Sequence, residues 1–208
     1  MNNHSAIITT LSKGISLLLH PLVMPLLATI VVVYGNATSV AYVPTLKPFV
    51  VWSVAGMTLA TPIVFWLIVR LLGAKGGSAT DERKMRRMML LATELCLVGC
   101  GSVFAKFAML FVVRKVLYTA AVLVAVLWIM ELLWPLCHHS AAIGAVLSVE
   151  WVLLYVGNVG LLWPFIATIL TAGVVCSARL INAKQAPTHI YTGLAVGIVV
   201  GFATFILL

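Results

Sequence analysis

Histidine and arginine carry most of the chemistry open to this chain, and they fall into three short stretches. Arg83, Arg86 and Arg87 stand in "ATDERKMRR", His138 and His139 in "WPLCHHS", and Arg179, Lys184, Gln185 and His189 in "ARLINAKQAPTH". Imidazole changes protonation near neutral pH and can donate a proton to a leaving oxygen. The planar guanidinium fork binds phosphate oxygens in pairs. Together these are the parts of an acid–base site for a phosphate-bearing substrate.

Each stretch also has a plainer reading. A helical turn aims Arg83 and Arg87 in one direction, with Asp81 and Glu82 just before them, but a basic loop attracted to anionic headgroups has the same composition. Adjacent His138 and His139 point apart on a helix, which disfavours joint metal ligation with Cys137 and leaves either proton transfer or polar anchoring at a membrane boundary. Pro187 suits the first turn of a helix, which puts Gln185 just before it and His189 inside that turn, where exposed N–H groups favour an anion. Arg179 and Lys184 could equally be snorkelling cations.

The elements that position these residues are membrane helices. The chain has 208 residues, 63% hydrophobic and 9% charged, with a mean hydropathy of +1.17, against about a quarter charged in soluble domains. Nucleic acid is disfavoured as partner for the net charge of +8, because the aromatics sit inside apolar runs and not on a basic face. Phosphate-bearing lipid is the more economical anion. Apolar runs near 15–34, 48–72, 88–104, 116–134, 141–156, 161–178 and 190–208 predict an all-α polytopic bundle of six to seven transmembrane helices in one domain over 1–208, a core of about 30 Å taking about 20 helical residues. The count turns on Phe104 to Lys115, either a connection or an extension of the preceding span. The opening segment lacks a basic start and a small-x-small cleavage site and is expected to be a retained span.

Within the runs, Pro21, Pro25 and Pro62 are expected to kink helices. Gly193, Gly197 and Gly201 form a small-residue stripe for helix packing. Cys96, Cys100, Cys137 and Cys176 lack a C-x-x-C pair and read as packing residues. His20 reads as a satisfied buried histidine. Glu94, Glu131 and Glu150, and Lys106 if its segment extends a span, are costly in hydrocarbon; the three glutamates would be the basis of a transporter, although Glu131 lies close enough to His138 and His139 to orient a histidine or an arginine.

Segments separated by two crossings return to the same side, so the three stretches are expected to share one face. That face carries nine Lys and Arg (Lys13, Arg70, Lys75, Arg83, Lys84, Arg86, Arg87, Arg179 and Lys184) against four opposite, which favours a cytoplasmic face. Setting aside the five that would bind phosphate leaves four against four.

The order of the stretches resembles the type 2 phosphatidic acid phosphatase family of membrane lipid phosphatases, in its short, divergent bacterial members. The likeness covers most of the chain: the opening "ISLLLHPLVMP", the basic "DERKMRR", the "HHSAAIG" region and "SARL" with "APTHIYTG". The resemblance implies a multi-pass protein of the bacterial inner membrane with an extracytoplasmic site and no metal or other cofactor. It implies a phospholipid or polyprenyl phosphate substrate. By the same match His139 is the general acid, Arg83, Arg87 and Arg179 bind phosphate, and Lys184, Gln185 and His138 line the substrate site. The family's nucleophilic histidine falls on Gln185 and its orienting residue on His189, and the proline after the first motif is Met88. An amide cannot form a phosphoenzyme, so either His189 attacks or the chain binds lipid phosphate without turnover.

Overall fold

In a computed structural model, residues 12, 14, 19–35, 43–60, 63, 64, 67, 71, 79–134, 136–181 and 186–208 are described, without the side chains of residues 60, 79–87 and 133. Among these residues the fold is all helical. Its elements are α1 (Met24–Tyr34), α2 (Leu46–Ala55) running into a π-helical turn (Gly56–Ala60), α3 (Ala79–Phe104), α4 (Phe111–Leu133), α5 (His138–Tyr155), α6 (Leu162–Ile181) and α7 (Pro187–Leu207). Among the described residues three stretches are long and apolar enough to cross a membrane: Ala108–Leu132, Val159–Ile181 and Pro187–Leu207. Within the Phe104 to Lys115 segment α3 ends at Phe104, a 3-10 turn (Ala108–Leu110) follows, and Phe111 to Lys115 form the first turn of α4, so the segment does not extend α3.

The prolines start a helix where kinks were expected. Pro21 lies in the turn before α1 and Pro25 occupies its first positions, where the missing N–H would have had no intrahelical partner in any case. Pro62 lies outside the described residues. Lys106, whose segment the sequence left open between a connection and an extended span, sits exposed in the turn after α3.

Helix α5 is the axis of the bundle. It is buried on every side over Ser140–Val146, Ser148–Glu150 and Leu153, as expected of a helix with no polar face. Its small residues allow α7 to approach closely. A Cβ on Gly193 would lie 2.5 Å from Ser140 Oγ and 2.8 Å from the Cys137 carbonyl, and one on Gly197 or Gly201 would collide with Ala141 or Ser148. The glycine stripe is therefore the α5–α7 seam. Helix α5 ends in a Schellman turn: Asn158 N–H donates to Leu153 O at 3.1 Å, Gly157 N–H to Leu154 O at 2.9 Å, and Gly157 takes φ +99°, a conformation that favours glycine.

One apolar cluster joins α1, α4, α5, α6 and α7, and a second joins α1, α2, α3 and α4. At the end opposite the histidines, Lys115 Nζ donates to Phe205 O at 3.1 Å and so caps the last turn of α7 and meets its negative dipole end. Lys115→Met is expected to lower stability by about 1 kcal/mol, read as a fall in the thermal unfolding midpoint of the detergent-solubilised protein.

Candidate functional site

Helix direction gathers the named residues at one end. Helix α5 starts there at His138, α6 finishes there with Arg179 in its last turn, and α7 starts there at Pro187, with His189 in its first turn. The Cys137 N–H donates to His189 O at 3.1 Å, so the starts of α5 and α7 are joined by a backbone bond. Two positive helix ends thus lie side by side. The Arg179 guanidinium sits at the negative end of α6, where a cation is favoured on its own account.

His20 completes the group. Its ring meets that of His139 edge-on, with centroids 5.5 Å apart. Its Nδ1 accepts the Leu22 N–H at 3.3 Å, which leaves the proton of the neutral ring on Nε2. His20 lies in the turn before α1, outside the helical spans. Burial pushes its pKa below 6.5, and the charge of Arg179 pushes it the same way. His20, His139 and Arg179 therefore share one electrostatic neighbourhood. His189 packs edge-on against Trp134, with ring centroids 6.0 Å apart. Trp134 is 54% exposed and fits the interfacial position that tryptophan prefers.

The depressed His20 pKa gives a stability prediction with a definite sign. Below pH 6.5 the unfolded chain takes up a proton at this ring and the folded protein does not, so stability falls as the pH drops through that value. His20→Gln is expected to flatten the acid-side loss, as measured by thermal unfolding across a pH series.

Comparison with protein-family models, with curated proteins and with solved structures finds no match for this chain. The site is therefore read from its own geometry.

Of the residues singled out by sequence, His138, His139, Arg179 and His189 lie at one end of the bundle. The backbone of Arg83 and Arg87 lies in the first turns of α3, and their side chains lie outside the description. Helix α3 packs beside α4, with Gly101 against the Tyr118 ring. Its 26 residues span about 39 Å, so its start projects toward the end where α4 finishes and α5 begins. Lys184 and Gln185 lie outside the described residues. His20 was missed as a site residue. Its signal lay in the "HPL" stretch, where a satisfied core histidine and a contact to a distant ring look alike.

The glutamates are spread over three helices, Glu94 on α3, Glu131 on α4 and Glu150 on α5. Glu150 is 1% exposed and accepts from Thr168 Oγ1 at 3.0 Å through one oxygen. Measured from the Gly101–Tyr118 contact, Glu94 and Glu131 are offset along α3 and α4 by about 9 Å at 1.5 Å per residue. Among the described residues no group of three or more His, Cys, Asp and Glu is placed to hold a metal ion.

Proposed function

We propose that this chain is a lipid phosphatase-like protein of the bacterial inner membrane, with six to seven spans and its site on the extracytoplasmic face. It would hydrolyse a phosphate ester or pyrophosphate on a lipid without a metal. The observation that supports this reading best is the meeting of His139 with His20 beside Arg179, where two helix N-termini are bonded together. A dianionic headgroup is the natural occupant of such an end, because exposed N–H groups, guanidinium and imidazole all favour negative charge.

In this reading Arg179, Arg83, Arg87 and Lys184 hold the phosphate oxygens, with Gln185 and His138 beside them. His189 attacks phosphorus through a ring nitrogen. The P–O bond to the lipid breaks as the N–P bond forms, and His139 gives its proton to the departing lipid oxygen. Water then attacks phosphorus, His139 takes a proton from it, the N–P bond breaks and orthophosphate leaves. Dividing the displacement in this way replaces one difficult step by two easier ones.

The glutamine at 185 favours a second reading, in which the same end binds lipid phosphate without turnover. Phosphate release from phosphatidic acid and from a polyprenyl phosphate, with wild type beside His189→Ala and Arg179→Ala, decides between them. Release lost in both variants supports the enzyme. Binding that depends on Arg179 without release supports the binder. Substrate uptake that is lost in Glu94→Gln and indifferent to Arg179→Ala would replace both with a transporter.

A further inference from the structure

Helices α1, α4 and α5 do not close completely against one another. Between them is a narrow cleft, open on one side, that starts at Pro21 and runs along Met24, Leu127, Leu123 and Val149 to Val116. Pro21 follows His20 in the chain, and Ala142 on the cleft wall is one turn beyond His139, so the mouth of the cleft adjoins the histidine end. Among the described residues Thr119 is the sole polar one of the lining. It is 2% exposed, and its hydroxyl has no hydrogen-bond partner among the described residues.

Two materials could fill such a space in a bilayer. Water needs two to four polar partners to stay in a cavity, and this lining offers one hydroxyl. Hydrocarbon needs none. The span from Leu127 to Val116 on α4 is about 16 Å at 1.5 Å per residue, close to one leaflet of a core about 30 Å thick. Any chain filling the cleft from its mouth has its headgroup beside Arg179 and His139, where the charge suits an anion.

We propose that this cleft is the binding site for one hydrocarbon chain of a phosphate-headed lipid, seated to the depth of a single leaflet with its headgroup at the His20–His139–Arg179 end. The inference rests on the phosphate-binding reading of that end and adds the location and depth of the tail. Because lipid tails are as apolar as the lining, the cleft selects by fit and by the attached headgroup. It gains nothing from removing the chain from water.

Photocrosslinking in nanodiscs of neutral phospholipid tests this, with a long-chain alkyl phosphate bearing a diazirine near its chain end and the alcohol of the same chain as control. The phosphate probe is expected to label Val116, Leu123 or Val149, well above the alcohol, and Ala120→Leu, which fills the cleft, is expected to cut that labelling about ten-fold. Labelling confined to the outer face of α6 at Ile166, Leu170 and Val174, or equal labelling by the alcohol, overturns the proposal whether or not the variant folds. Orthophosphate-induced thermal stabilisation of wild type and Arg179→Ala separates the two layers. If stabilisation is present, Arg179-dependent and unaccompanied by cleft labelling, the headgroup reading stands and the tail site falls. If stabilisation is absent and the alcohol labels the cleft as well as the phosphate does, both fall.

Discussion

His139→Ala is expected to lower phosphate release from a lipid phosphate by about 10²- to 10⁴-fold, the range a positioned general acid contributes, while lipid-phosphate binding changes far less. The separation follows from what each group does. A leaving lipid alkoxide must be protonated as the P–O bond breaks, and His139 in the first turn of α5 is the candidate donor. Its neighbour His20 carries a proton on Nε2 when neutral, because Nδ1 is engaged by the Leu22 N–H. Arg179→Ala is expected to lose release together with binding, since a guanidinium beside a phosphate acts in ground state and transition state alike. Steady-state rates and lipid-binding titrations on both variants read the two effects separately. Full activity in His139→Ala would remove it as the acid.

Gly197→Ala is expected to be among the most damaging single-methyl changes in the chain, destabilising by about 3 kcal/mol, at the upper end of the usual range for overpacking. The added Cβ would run into the backbone of Ala141, and backbone atoms cannot rotate away as a flexible side chain can. The seam would have to part along its length, and with it the Cys137–His189 bond that joins the two helix starts. Gly173→Ala on α6 is the matched control. A Cβ there meets nothing within 4 Å, so the change should be neutral or slightly stabilising, as expected for Gly to Ala inside a helix. Thermal unfolding of the two variants side by side gives the contrast.

Membrane character and all-helical class were legible in composition and run length, because water-free surroundings leave few backbone solutions. The shared end of the His138–His139 and Arg179–His189 stretches was legible too, since alternating crossings place them there whatever the side chains do. The glycine stripe announced a close helix contact and left its partner unnamed. Less could be read where the answer depended on a neighbour far away in the chain. A proline that starts a helix and one that bends it have the same local sequence, so Pro25 was misjudged until the turn at 19–23 fixed where α1 begins. The place of Lys106 stayed open between a connection and an extended span because "FAKFAMLFVV" gives no polar signal for the turn that exposes it. His20 lacked any local mark of its contact with His139, which only tertiary packing creates.

The glycine seam also determines which walls of the molecule are able to yield. With α5 and α7 interlocked residue against residue and tied at their starts, that side is a fixed keel. Any rearrangement at the histidine end therefore carries α5 and α7 together as one unit, whereas α1, which borders the cleft, lies outside that interlock.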